Sequence, residues 1–337
     1  MKSAIPPFEE MFSLPALFAA WKSFERGKRK RVDVCDYRVR LIERLSVLHR
    51  DLSAGTYRHG GYSAFTVSDP KPRMIHKAHV RDRIVHHAIH RALVPFFEAR
   101  FIYDSYSCRA NKGTHRSVKR LAACARRESA NHTKTVWVLQ CDIAKCFASI
   151  GHERLLSIIR QHIVCNRTMA VIEEVVRSFS ITPHKGIPLG NLTSQLFVNV
   201  YLNLLDQFIK RMLGARIYLR YTDDFVIVSR DRKFLETSLE HIHMFVRGTL
   251  GMELHPHKVR LKTLSSGVDF LGWINFPDHR VLRPSTRHRM ERALAQDPSP
   301  QTRSSYRGLC VHGDTHGLVQ RLFDGYSGDA QNATLSL

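Results

Sequence analysis

The chain has 337 residues and carries 52 Lys and Arg against 30 Asp and Glu, a formal net charge of +22. Its 43% hydrophobic and 24% charged residues fall in the globular range, which excludes wholesale disorder. No apolar run approaches the roughly 20 residues that a membrane-spanning helix needs. The partly apolar opening over residues 5–21 is interrupted by Glu9 and Glu10 and has no basic cluster ahead of it, so it does not read as a signal peptide. The seven cysteines are scattered without a Cys-x-x-Cys pair, which argues against a disulfide framework or a zinc ribbon and makes a reducing cytoplasm the default. A globular chain this basic is expected to meet a polyanion, because each neutralised phosphate releases counterions.

In chain order, residues 1–60 read as helical and basic. A positive run at Lys28, Arg29, Lys30 and Arg31 precedes apolar positions Val39, Leu41, Ile42, Leu45, Val47, Leu48 and Leu52. Gly55 is a plausible stop and Gly60-Gly61 a turn. Residues 62–67 suit a short strand, and Asp69-Pro-Lys-Pro-Arg73 is too proline-rich for a helix. A helix is expected over 80–97, then a polar loop at 108–114 in which Thr114 could cap the following helix. Residues 136–143 read as a buried strand ending on Asp142, followed by helices near 153–161 and 169–178. A glycine-punctuated loop over 185–195 then leads into an apolar helix to about 213. Apolar runs at 216–220 and 225–229 flank Tyr221-Thr-Asp-Asp224 as a hairpin. A helix near 235–250, strands near 259–261 and 268–273, and a basic helical tail broken near 297–300 complete the reading, with no internal repeat.

Three carboxylates stand in unusual places. Asp142 ends an apolar strand, and Asp223 and Asp224 tip an apolar hairpin, although a buried charge needs a partner or a metal. Asp-Asp in a hairpin turn is by itself ordinary turn chemistry. The ordered combination of strand-end Asp, glycine loop opening a helix, and aromatic-x-Asp-Asp hairpin matches what two-metal phosphoryl transfer requires. Carboxylates must converge from separate elements while leaving metal positions free for phosphates and water.

At these residues the chain resembles the reverse transcriptases. Asp142-Ile-Ala-Lys-Cys-Phe147 is similar to their motif A, Ile187-Pro-Leu-Gly-Asn-Leu-Thr-Ser-Gln195 to motif B and Tyr221-Thr-Asp-Asp224 to motif C. The likeness extends to Asp69-Pro-Lys-Pro-Arg73, Asp82-Arg-Ile-Val-His-His87, Ser107-Cys-Arg109, Lys112-Gly-Thr-His115 and Phe270-Leu-Gly-Trp273, together covering roughly residues 55–275. Motif B here has Leu189 where most of the family has Gln, and Gln195 where most has Pro. This form resembles the enzymes of bacterial and phage diversity-generating retroelements, which copy a template RNA with errors at adenines. Thr222 stands where Met, Val or Ala is more usual.

The resemblance implies roles. Asp142 and Asp223 would bind two Mg²⁺ ions, for which Mn²⁺ could substitute, with Asp224 assisting and the Ile143 carbonyl completing one coordination shell. Phe147 would lie under the nucleotide sugar and exclude a ribose 2′-hydroxyl. Lys71, Arg73, Arg109 and Lys112 are candidates for the triphosphate, though a surface charge explains each nearly as well. Leu189, Gly190, Ser194 and Gln195 would line the nascent base pair, Gly190 by letting the backbone approach closely. Tyr221, Gly272 and Trp273 would support the primer terminus, or simply pack. Arg283, Arg287, Arg289 and Arg292 would grip the heteroduplex or form a solvated face. Asp82 and Arg83 read as a structural pair. Cys310, His312 and His316 lack a fourth ligand and are not read as a zinc site.

The expected fold is α+β, a right-hand polymerase with fingers, a palm carrying an antiparallel sheet, and a short helical thumb. Its expected parts are a basic helical extension over 1–60, fingers and palm over 61–274, and a thumb and C-terminal segment over 275–337. The expected reaction is RNA-directed addition of dNTPs to a primer 3′-hydroxyl. The expected partners are template RNA, the RNA–cDNA heteroduplex and a small basic accessory variability protein, with no membrane. Two other readings stay open: a retron, group II intron-like or phage-defence reverse transcriptase, and a catalytically silent RNA-binding scaffold.

Overall fold

The computed structural model describes residues 4–68, 71–296 and 298–324. The N-terminal region is built from α1 (Phe8–Met11), α2 (Leu14–Glu25), α3 (Val32–Val39) and α4 (Leu41–Ser53). Ser13 starts α2 by accepting a hydrogen bond from the Ala16 amide at 3.2 Å. Helix α2 then buries Leu17, Ala20, Trp21 and Phe24, the spacing of one helical face. The apolar series at 39–52 is not one face. Arg40, at φ −119°, separates α3 from α4 and resets the helical register. Leu45, Leu48 and Leu52 are buried, while Val39 and Ile42 stand 83% and 69% exposed.

The fingers begin with an antiparallel hairpin of β1 (Tyr62–Val67) and β2 (Arg73–Ala78), in register from Tyr62↔Ala78 to Val67↔Arg73. The proline-rich segment does stay out of helix, but Arg73 already opens β2, a strand its flanking prolines obscured; Asp69 and Pro70 lie outside the described residues. Helix α5 (Val80–Glu98) is the apolar spine on which α2 packs. Helix α6 (Thr114–Glu128) starts after Gly113, whose φ of +125° makes the turn, so Thr114 is the first helical residue and not the cap. Asp82 and Arg83 do not pair with each other. Asp82 accepts from the Tyr57 hydroxyl at 2.8 Å, and Arg83 reaches Asp33 at 2.5 Å.

The palm is a four-stranded antiparallel sheet. From β3 (Trp137–Asp142) the chain passes through α7 (Cys146–Ser149), α8 (His152–Arg160), α9 (Asn166–Arg177) and α10 (Leu192–Gln207), the last extended by a π turn over Phe208–Met212. It returns as β4 (Ile217–Tyr221) and β5 (Asp224–Ser229), then α11 (Arg232–Gly248) and β6 (Arg260–Thr263). The strand order is β4-β5-β3-β6. Alternate residues of each strand point to opposite faces. Leu139, Cys141, Phe225 and Ile227 enter a core shared with the N-terminal helices and α8–α11. Val138, Leu219, Val226 and Val228 enter a second core shared with α6 and the C-terminal segment. Both faces being covered, β3, β4 and β5 are largely apolar and do not alternate, whereas the edge strand β6 exposes Arg260 and Lys262.

The run expected as one strand over 268–273 folds back on itself. β7 (Val268–Phe270) and β8 (Trp273–Asn275) form a hairpin, and β9 (Arg280–Leu282) adds a third strand. The fold-back needs positive φ at two successive residues, Leu271 (+53°) and Gly272 (+88°), the signature of a tight two-residue hairpin turn. Helices α12 (Pro284–Ala295), α13 (Pro300–Cys310) and α14 (His316–Val319) follow. Ser299 caps α13 through the Thr302 amide at 3.2 Å, which separates it from α12; Asp297 lies outside the described residues.

Candidate active site

The palm sheet brings the three carboxylates together. Asp142 ends β3 directly opposite Asp224, the first residue of β5, and Asp223 sits in the adjoining β4–β5 turn. The strand end is stitched on several sides. The Ile143 amide donates to the Asp223 carbonyl at 3.1 Å, the His255 amide to the Asp142 carbonyl at 2.7 Å, and the Ala144 amide to the Glu253 carbonyl at 2.8 Å. Lys145, at φ +47°, then turns the chain into α7 and carries half-buried Phe147 past the carboxylates. The Phe147 carbonyl accepts from the Ile187 amide at 3.0 Å, which ties this turn to the glycine loop.

The electrostatics are those of an anionic site short of positive charge. Burial, then repulsion from Asp142 and Asp223, pushes the Asp224 carboxyl up to about 7. Burial and Asp142 also raise Asp223, against the pull of Lys258 and Arg73. Asp224 Oδ1 is buried with no hydrogen-bond partner. The nearest compensation is Lys258, whose Nζ donates to Asp142 Oδ2 at 2.7 Å. An orphaned carboxylate oxygen among mutually repelling carboxylates fits a hard divalent cation, which takes oxygen ligands. Among the described residues no three His, Cys, Asp or Glu side chains enclose an ion by themselves.

The remaining candidates divide. Lys71 and Arg73 are exposed on the fingers hairpin, and the charge of Arg73 reaches Asp223. Arg109 is engaged elsewhere. Its guanidinium bonds Glu98 at 2.7–3.0 Å and the carbonyls of Ile102 and Ser105 at 2.7 and 2.9 Å, so it clamps the 98–109 loop. Lys112 likewise donates to the Tyr103 carbonyl at 2.7 Å and lies 3.5 Å from the centre of the Tyr103 ring. Both are engaged by local partners.

In the glycine loop, the Leu189 carbonyl accepts from the His76 amide at 3.0 Å and Gln195 is exposed. Gly190, at φ +102°, makes its close approach to the protein itself, since a Cβ there would lie 2.5 Å from Ile75 Cγ2 of β2. Helix α10 begins at Leu192, earlier than the composition suggested, and so Ser194 is buried in the helix packing. Tyr221 is half-buried, and burial raises its hydroxyl above the ordinary tyrosine range. The Gly272 carbonyl accepts from the Arg283 amide at 3.0 Å. Trp273 is buried in the second core, packed on Gly313, as the packing alternative expected. Arg287 donates to Glu291 at 2.8 Å on a half-exposed face of α12. Cys310 is buried, and His312 stacks on His115 with ring centres 3.7 Å apart.

Two features escaped the sequence reading. One is Lys258, in an unremarkable polar stretch before β6. The other is a wholly buried ion pair between Arg220 of β4, three residues before Asp223, and Asp206 of α10. Its signal was present: an Arg inside one apolar strand and an Asp inside one apolar helix must find each other.

The chain is 24% identical over 305 residues to Protein YkfC of Escherichia coli (strain K12), covering 79% of this chain and 78% of that protein. It is 22% identical over 273 residues to the group II intron-encoded protein LtrA of Lactococcus lactis subsp. cremoris, covering 61% of this chain and 44% of LtrA. The chain thus spans under half of LtrA's length. Among solved structures, apo telomerase from Candida tropicalis shares the fold, with a TM-score of 0.50 at 11% identity over 66% of this chain and 55% of that one. The family described as reverse transcriptase (RNA-dependent DNA polymerase) matches residues 68–275, a span that begins in the fingers hairpin and ends with β8. With more than half of its length matched and its three carboxylates on one palm sheet, the chain belongs to the reverse transcriptase family.

Proposed function

We propose that this chain copies a template RNA into cDNA by adding dNTPs to a primer 3′-hydroxyl. The observation that carries the reading is the facing of Asp142 and Asp224 across β3 and β5 with Asp223 in the adjoining turn. Asp142, Asp223 and Asp224, with the Ile143 carbonyl, would hold two Mg²⁺ ions, which when bound activate the primer hydroxyl and neutralise the departing pyrophosphate. The carboxylates position that charge, and Lys258 and Arg73 supply fixed positive charge beside it. Phe147 would exclude a 2′-hydroxyl by contact. Lys71 and Arg73, on the open face of the fingers hairpin, are the candidates left for the triphosphate. Arg287 on α12 would track the heteroduplex backbone. The test is extension of a primed RNA with Mg²⁺ and dNTPs, with Asp223→Asn as control. Product from the wild type alone supports the reading. Product from both would remove Asp223 from the reaction, and none from either when a cognate RNA and accessory protein are supplied sinks the reading in favour of an RNA-binding scaffold.

Within that activity, the form of motif B favours the mutagenic polymerase of a diversity-generating retroelement, with an accessory variability protein as partner. Leu189 removes a side-chain hydrogen bond worth roughly 1 kcal/mol, or several-fold in base selection. The Leu189 backbone is pinned to His76, so a change of side chain leaves the loop in place. Leu189→Gln is expected to lower misincorporation opposite template adenines. An accurate wild type would instead favour an intron-type enzyme, the reading that likeness to LtrA supports.

A further inference from the structure

Arg220 and Asp206 are both fully buried. The guanidinium meets the carboxylate in a fork, Nε to Oδ1 and Nη2 to Oδ2, each at 2.7 Å. Its other hydrogens go to Asn199 Oδ1 at 3.3 Å, Ser105 Oγ at 3.2 Å and the Thr222 carbonyl at 3.1 Å. All the N–H donors of the side chain are thereby in use. A buried ion pair is seldom the most stable filling for such a space, since an apolar pair of similar volume commonly serves as well. An apolar pair cannot reach the Thr222 carbonyl.

Thr222 needs holding. It has φ +55°, a conformation that a β-branched residue rarely adopts, and it immediately precedes Asp223. Its carbonyl is held by Arg220, and its hydroxyl donates to Ser107 Oγ at 2.6 Å. Ser107 is fixed in turn, because its carbonyl accepts from Asn199 Nδ2 at 2.9 Å. On the far side of the turn the Asp223 carbonyl holds the Ile143 amide, next to Asp142. The chain of contacts therefore runs from the buried pair through the strained residue to the carboxylates.

We propose that Arg220 and Asp206 are positioning residues whose ion pair braces the Thr222 turn and so sets Asp223 and Asp224 against Asp142. The consequence for catalysis rests on the polymerase reading, whereas the brace itself does not.

The test replaces the pair in the full chain by apolar residues, Arg220→Met with Asp206→Leu. Amide exchange at Ile143 is expected to speed about tenfold, while exchange at Val226 and Ile227 in mid-strand stays as in the wild type. Unchanged protection at Ile143 would overturn the brace. In primer extension the double variant should lose about a hundredfold in kcat with little change in KM for dNTP, the mark of a misplaced site. It should also need several-fold more divalent ion for half-maximal rate and for Mn²⁺ binding without substrate. Wild-type kcat and wild-type Mn²⁺ affinity would overturn the positioning role. Should the double variant not fold, Thr222→Val and Thr222→Ser carry the test with the ion pair intact. Valine should speed Ile143 exchange and lower kcat, and serine, which keeps the hydroxyl, should restore both; identical behaviour of the two overturns the proposal. A wild type that makes no DNA, with Ile143 exchange still accelerated in the variant, would defeat the polymerase reading and leave the brace standing.

Discussion

Asp142 and Asp224 are Cα partners on the last rung of the β3–β5 ladder. Directly opposed residues of an antiparallel pair project to the same face, so the sheet itself forces two carboxylates together, and like charges so placed destabilise it. The cost has a definite pH dependence. The Asp224 carboxyl titrates near 7 in the folded chain against an ordinary 3.8, so between those values the folded state keeps a proton that the unfolded state has released. Stability therefore falls as pH rises through that window. With chelator present, the wild type should lose more Tm between about pH 5 and about pH 8 than Asp224→Asn does. Adding Mg²⁺ or Mn²⁺ at the upper pH should recover the difference in the wild type only. Parallel Tm profiles for the two proteins would refute this account of the site.

Lys258 is the cation that the carboxylates already have, 2.7 Å from Asp142 Oδ2. Its ammonium both relieves the repulsion and competes with a divalent ion for the same oxygens. Lys258→Met should accordingly do two opposite things. Without metal it should lower Tm, because the carboxylates lose their nearest positive charge. In a Mn²⁺ titration without substrate it should tighten binding by roughly threefold or more. Weaker binding would mean that Lys258 organises the carboxylates for the ion and does not compete with it.

How far this site was legible depends on whether its residues announce themselves locally. Asp142, Asp223 and Asp224 do, because each interrupts an apolar run, and the palm strands were found within a residue or two for the same reason. Arg109 and Lys112 were left between triphosphate and surface charge because a basic residue in a polar loop looks alike in sequence whether it meets phosphate or a neighbouring carbonyl; only the fold supplies Glu98 and Tyr103. Trp273 was left between primer support and core packing because its partner, Gly313, is forty residues away. The break at Arg40 and the fold-back at Leu271-Gly272 were missed because neither carries a proline, and Leu271 is an unusual residue at positive φ.

Gly190 offers a sharper test of the loop. A Cβ there meets Ile75 Cγ2 at 2.5 Å, and the backbone is at φ +102°, so Gly190→Ala suffers both a clash and strain. The expected loss is about 1–3 kcal/mol in urea unfolding. Ile75→Ala on the same background should recover the steric part and leave the conformational part. Full recovery would show that the glycine is there for space alone, and no recovery that the clash with β2 does not decide its cost.

The contact of Trp273 with Gly313 makes the last prediction, because it ties the β7–β9 sheet to the turn after α13. The indole is buried with Met290, Leu294 and Cys310 in the second core, and its six-membered ring fills the space where a Gly313 side chain would begin. Gly313 is not at positive φ, so its replacement by Ala is a purely steric change. Gly313→Ala should push the indole off the turn and lower stability by about 1–3 kcal/mol. Trp273→Phe should lower it as well, by leaving part of the indole's volume empty. Together the two should cost less than their sum, since the smaller ring makes room for the new methyl. That favourable coupling, measured as a double-mutant cycle by urea unfolding, reports the contact directly. Strict additivity would place the ring elsewhere and loosen the assignment of α12 and α13 to one packed unit with the β7–β9 sheet.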